Sequence, residues 1–309
     1  MIKKLFLGCT ILFVSSIGKA QDDDLSKLVD EHAKVEESDK QTATFKTTRL
    51  INLTTNEQVK KGELDFRIAH RFDDIAGSNG GASTFFGFDN VSDIRFSFDY
   101  GISDRWQIGI GRSKGAYAQR QVFDLNSKFK ILEQRVKGLP IGLSVYAGAT
   151  YTTMPSSGSP STTTNFSKLP YRFNYFGQLL IVRKFSSSLS AIVSPTIVHR
   201  NIVNIGDNNT TYAIAAGLRM KISKRSAIIA DYYQVLNVST YQKAKEFQMP
   251  IGLGYELETG GHVFHVLLSN NRGLMESQFL PENYDNPTKG QIRLGFNISR
   301  IFTILKDSK

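Results

Sequence analysis

From residue 63 onward the chain alternates apolar and polar positions in short runs separated by turn-forming residues. Alternation at period two puts successive side chains on opposite faces of a strand. Residues 63–71 set Leu64, Phe66 and Ile68 against Glu63, Asp65, Arg67 and Arg71. Residues 93–100 set Ile94, Phe96, Phe98 and Tyr100 against Asp93, Arg95, Ser97 and Asp99. The same design recurs in residues 106–112, 121–130, 139–151, 212–222, 249–257 and 291–299. Four further runs, 173–184, 189–199, 226–235 and 262–269, are apolar enough for strands but leave their facing open. The pattern predicts about twelve strands.

The connections decide between a soluble sandwich and a barrel. Short ones (101–105, 185–188, 223–225, 258–261, with 131–138 intermediate) alternate with long ones (72–92, 113–120, 152–172, 200–211, 236–248, 270–290). A sandwich has no reason to keep that phase, whereas a transmembrane antiparallel up-and-down β-barrel has tight periplasmic turns and long outer loops. Closure also leaves no unpaired edge. The outward face is then apolar, with aromatics near segment ends (Tyr100, Trp106, Tyr151, Tyr212, Tyr255), and the inward face is polar. The inward set includes Arg67, Arg71, Arg95, Lys128, Lys130, Arg219, Lys221 and Arg293, with Glu63, Asp65, Asp93, Asp99, Asp124 and Glu256. Of these, Arg67, Arg95, Asp99, Lys128, Arg219, Lys221, Glu256 and Arg293 are the candidate lumen-lining residues. Either they interlock and fill the lumen, or they line a channel with modest anion preference.

The start of the chain reads as an export leader. Lys3 and Lys4 precede an apolar run over residues 5–17, and Gly18-Lys19-Ala20 offers a cleavage site, so residues 1–20 are expected to be removed. Residues 21–46 are charge-rich and read as a flexible acidic periplasmic segment. Residues 47–53 look extended, as a short strand or a stretch in the barrel mouth. The barrel is expected over 47–302, followed by a tail, 303–309. Its last strand carries Phe302, near the position that barrel assembly machinery reads.

Composition narrows the chemistry. The net charge is +10, three of the positive charges being in the leader (Lys3, Lys4, Lys19), and the rest are scattered among carboxylates. No run resembles a nucleic-acid arm, so no nucleic-acid partner is expected. The only cysteine, Cys9, lies in the leader, which leaves no disulfide or thiol nucleophile downstream. His262 and His265 are three apart and point to opposite faces of a strand, so no metal site is expected. No catalytic residue, cofactor or enzymatic activity is expected.

Several phrases carry a resemblance. They are Lys46-Thr47-Thr48-Arg49-Leu50-Ile51-Asn52, His70-Arg71-Phe72, Phe86-Gly87-Phe88-Asp89, Ser194-Pro195-Thr196-Ile197-Val198-His199-Arg200-Asn201, Thr259-Gly260-Gly261-His262-Val263-Phe264 and Gly295-Phe296-Asn297-Ile298-Ser299-Arg300. As a set, over about residues 44–302, the chain resembles a family of predicted outer-membrane β-barrel proteins classed as a domain of unknown function. The resemblance implies a barrel in the cell outer membrane and no particular substrate. The resulting expectation is a narrow channel for small solutes, in contact with outer-membrane lipid. The alternative is a non-conducting structural or interaction barrel that presents loops or docks a periplasmic partner.

Overall fold

Alternating strands that bury nothing on one face must find either lipid or another sheet, and here they close on themselves. A computed structural model of the protein describes residues 39–77 and 79–305. The leader 1–20, the acidic segment as far as residue 38 and residues 306–309 lie outside the described residues.

Twelve strands form one closed antiparallel barrel in sequence order. They are β1 (Glu63–Asp74), β2 (Val91–Ser103), β3 (Trp106–Ser113), β4 (Val122–Leu132), β5 (Gly142–Thr152), β6 (Phe173–Lys184), β7 (Leu189–Arg200), β8 (Thr210–Lys221), β9 (Ser226–Val235), β10 (Ile251–Thr259), β11 (His262–Ser269) and β12 (Arg293–Thr303). β1 and β12 close the ring, from Glu63 opposite Thr303 to Asp74 opposite Arg293. The expected twelve strands and their short–long connections are present, with strand ends moved by a few residues. All long loops gather at one rim. Both barrel ends, Glu63 and Thr303, lie at the short-turn rim.

The outer wall is a band of exposed apolar side chains, among them Phe98, Ile110, Leu125, Val193, Ile214 and Leu253. In lipid such a wall needs no cover, and the wall's N–H and C=O groups find most of their partners in the ladder. Leu125, 63% exposed on the outer face of β4, stands in this apolar band, where charge is costly. Leu125→Arg is expected to lower stability by about 2–4 kcal/mol, read by urea unfolding in liposomes; a loss below about 1 kcal/mol would contradict a lipid-facing position.

The inner wall resolves the four ambiguous runs. On β6 the inward residues include Phe176, Leu180 and Val182, on β7 Ile192 and Val198, on β9 Ile229, Tyr233 and Val235, and on β11 Leu267, all buried. These strands are apolar on both faces because their inner face also packs against protein. Charge is densest on β1–β4 and β12, and most of the inward apolar side chains stand on β6–β9, among polar ones that include Arg219 and Asp231. A single apolar cluster joins those apolar side chains to Phe45, Leu50, Ile51 and Leu53 from one end and to Met275, Phe279 and Leu280 from the other.

Candidate functional site

Residues 47–55 lie inside the barrel, deeper than the mouth position expected for them. They fold as a small hairpin: Thr55 N donates to Thr48 O (2.9 Å), Leu50 N donates to Leu53 O (2.8 Å), and Arg49 bridges Thr54. Its tip, residues 50–53, has apolar side chains and a backbone whose polar groups the turn itself cannot satisfy. Buried, those groups must be met by the wall.

The wall meets them one by one. The backbone N–H groups of Asn52 and Leu53 both donate to Asp231 Oδ2, at 2.6 and 2.9 Å. Asn297 Nδ2 donates to the carbonyls of Leu50 (3.3 Å) and Ile51 (3.2 Å). Arg71 Nη2 donates to the Ile51 carbonyl and to Asn52 Oδ1, each at 3.2 Å, and His265 Nδ1 lies 3.1 Å from the Leu50 carbonyl. Lower down, Lys128 Nζ donates to the carbonyls of Thr55 (3.0 Å) and Glu57. Arg67 Nη2 donates to Thr48 Oγ1 (2.9 Å).

The apolar side chains of the tip enter space left by two glycines. A Cβ at Gly217 would come within 2.6 Å of Leu50 Cδ1 and 3.0 Å of Leu53 Cδ2, and one at Gly252 within 2.8 Å of Ile51 Cγ2. Glycine on the inner face of β8 and β10 therefore makes room for the hairpin.

From the other rim, the β11–β12 connection folds inward. Its short helix Glu276–Phe279 is buried, and Phe279 packs edge-on against Tyr233 (5.1 Å between centroids). Arg49 joins the two intrusions, with Nη1 3.1 Å from Glu276 Oε1 and Nη2 donating to Tyr146 Oη (2.8 Å). Ion pairs anchor the connection. Asp285 accepts both arms of Arg272 (2.8 and 2.9 Å), which holds that guanidinium above its ordinary pKa despite its burial. Glu282 lies 3.1 Å from Arg200; its burial pushes its carboxyl up, against the pull of Arg200.

The eight predicted lumen residues all occupy the inner face. Arg67, Arg95, Lys128, Arg219, Glu256 and Arg293 are buried, whereas Asp99 and Lys221 are half-buried. The structure pairs Arg95, Arg219 and Arg293 with carboxylates, of which only Glu256 is one of the eight. Arg95 forks onto Asp124 (2.9 and 2.7 Å), and Arg219 forks onto Glu256 Oε1 (2.8 and 2.6 Å). His265 Nε2 takes the other Glu256 oxygen at 3.2 Å. Arg293 sits among Asp73, Asp74 and Asp285. Lys128 and Arg67 instead serve the hairpin. The residue that sequence reasoning missed is Asp231. Its signal was a lone carboxylate in the apolar run Ala227-Ile228-Ile229-Ala230-Asp231-Tyr232-Tyr233. Among the described residues no group of three or more His, Cys, Asp or Glu side chains is placed to hold a metal ion.

Two vestibules remain. The short-turn rim opens into about 320 Å³ lined by Lys46, Glu57, Lys60, Glu63, Asp65 and Glu258 among others. The long-loop rim opens into about 340 Å³ lined by Thr162, Thr164, Asn204, Tyr241, Glu282 and Tyr284 among others. The hairpin and the inward loop fill the lumen between them.

A sequence model described as a membrane bound beta barrel domain (DUF5777) matches residues 45–302. No curated protein matches the chain. Among solved structures it is similar to the NanC porin, with 9% identity and a TM-score of 0.46 over 78% of this chain and 100% of that one. It is similar to the KdgM porin in complex with disordered oligogalacturonate (8% identity, TM-score 0.46, 78% and 99% covered). A third is an outer membrane channel from Pseudomonas putida F1 (10% identity, TM-score 0.48, 80% and 98% covered). The architecture stands on the strand register described above rather than on these similarities.

Proposed function

This chain belongs to the family of membrane bound beta barrel domains (DUF5777), and from that premise we propose that it is an outer-membrane channel for small solutes, held shut by its own residues 44–59. One observation carries the reading: two vestibules lie at opposite ends of a lumen filled by the inward β11–β12 loop and by a hairpin that contributes nothing to the wall. Every wall strand is paired on both sides by its neighbouring strands, and the only bridge within the hairpin is its own, Arg49 to Thr54. The hairpin can therefore leave without opening the barrel. Its polar contacts would be exchanged for water, at a modest net cost for each hydrogen bond. A purely structural barrel would be better served by interlocking wall side chains than by a separate segment seated on wall carboxylates and guanidinium groups.

The membrane orientation follows from loop length. Long loops face outward and short turns face the periplasm. The chain enters the lumen at the short-turn rim, where Lys46 pairs with Glu258 (2.6 Å). A periplasmic partner gripping residues 41–46 would then pull the hairpin directly. Assembly machinery and outer-membrane lipid would meet the exposed outer band.

A reversible lock tests the reading. In a Cys9→Ser background, Ile51→Cys with Gly252→Cys places two thiols within bridging reach, because the new Cβ at 252 lies 2.8 Å from the Ile51 branch. Oxidised protein in a planar bilayer is expected to show no openings, and the same protein after reduction is expected to show salt-dependent openings. Folded, heat-modifiable protein that stays silent after reduction would overturn the channel in favour of the non-conducting barrel.

A further inference from the structure

The chamber that holds the hairpin tip meets both its backbone and its side chains. Four features of residues 50–53 are recognised separately. Two adjacent backbone N–H groups are accepted by one buried carboxylate, Asp231. The two preceding carbonyls face three side chains, Arg71, Asn297 and His265. The side chain of Asn52 is held by Asn271 (3.0 Å) as well as by Arg71. The side chains of Leu50, Ile51 and Leu53 fill apolar space at Gly217, Ile192 and Gly252.

From this geometry we infer that the chamber, once the hairpin leaves it, is a binding site for short peptides with apolar side chains, and that such peptides compete with the hairpin for it. The inference rests on the reading of the hairpin as movable and adds to it the class of solute. Complementarity selects the class. A sugar presents hydroxyls on every side and would strand those that meet Leu180, Ile192, Val198 and Ile229. A fatty acid would satisfy those side chains and Arg71 but brings no donor for Asp231. A peptide supplies adjacent N–H donors, carbonyl acceptors and apolar side chains in the arrangement the chamber already accommodates. The hairpin is then a tethered competitor. Solute and closed state exclude one another, and peptide shifts the population toward the open lumen by mass action.

The test needs no current. Ile51→Cys in the Cys9→Ser background is reconstituted in liposomes and labelled with a membrane-impermeant maleimide, which reaches position 51 only when the hairpin has left. The probe is acetyl-Leu-Ile-Asn-Leu-amide. Its controls are acetyl-Ser-Asn-Asn-Ser-amide, which has the same backbone without apolar side chains, and a tetrasaccharide. Labelling is expected to accelerate in proportion to the apolar peptide, about tenfold at ten times its Kd, with no acceleration by either control. Asp231→Ala in the same background shows that the assay reports movement. It is expected to label fast without peptide and to lose most of the peptide effect.

No acceleration, or equal acceleration by all three compounds, while the Asp231→Ala protein labels fast would overturn the peptide site and leave the gate standing. Slow labelling in every sample, Asp231→Ala included, would mean a fixed hairpin and would overturn both. Selective acceleration in a protein that never conducts would keep the peptide site and remove the channel.

Discussion

Asp231→Ala unlatches the hairpin. Asp231 is 2% exposed and its Oδ2 accepts both N–H groups at the tip. Alanine removes the acceptor and leaves two buried donors without partners. Hydrogen bonds to a charged group contribute about 1.5–3 kcal/mol each, and two sharing one oxygen contribute less than twice that. A loss of about 3–4 kcal/mol from the closed state multiplies the open fraction by roughly two to three powers of ten. The barrel wall should be untouched, because Asp231 keeps its backbone partners on β8 and β10. Single-channel recording is therefore expected to show frequent openings for Asp231→Ala. Asp231→Asn, which keeps one acceptor oxygen, should fall between it and the parent. An Asp231→Ala protein with parental open probability would show that this carboxylate is not the latch.

Arg293→Ala costs stability rather than closure. Arg293 is fully buried at the start of β12, with Nη2 2.5 Å from Asp74 Oδ1 and Nη1 2.6 Å from Asp285 Oδ2; Asp73 lies 3.2 Å away. It cross-links the end of β1, the start of β12 and the inward loop. Removing the cation leaves Asp74, itself buried, without its ion-pair partner, and a broken buried pair costs about 3–5 kcal/mol. Asp285 keeps Arg272 and is hurt less. Urea unfolding in liposomes should show that loss, and limited proteolysis should find the 281–290 stretch newly cleavable. Arg293→Lys keeps the charge but not the fork that serves two carboxylates, and should recover part of the loss. A change below about 1 kcal/mol for Arg293→Ala would mean that the cluster is merely tolerated.

The two predictions concern residues that differed greatly in how visible they were. Arg293 sits in the cleanest alternation of the chain, opposite Ile292 and Leu294, so its inward direction followed from period two alone. The same holds for Arg95, Lys128, Arg219 and Glu256. Asp231 sits in a run apolar on both faces, and there periodicity carries no facing information. The reason is physical. A strand shows two distinct faces only when its two sides meet different media, and β6, β7, β9 and β11 meet lipid outside and hairpin or loop inside. The ambiguity of those four runs was itself the trace of a filled lumen.

The hairpin was harder still. Residues 47–55 form no strand of the wall, and their Leu50-Ile51-Asn52-Leu53 core is too short to show a period. Only the chamber shows why they are apolar at the tip and rich in Thr at the base, where Thr48 and Thr55 meet Arg67, Asp65 and Lys128.

By itself the sequence determined the barrel: its strand number, the alternation of loops and the outward and inward faces wherever the two media differ. These are local consequences of backbone pleating and of hydrophobicity, which a run of ten residues already expresses. Only the tertiary structure decided that the lumen is occupied, by which segments, and which wall charges pair with each other rather than with the hairpin. Those outcomes depend on contacts between residues such as Asn52 and Asp231, or Arg71 and Asn297, which stand far apart along the chain and meet only when β1 closes on β12.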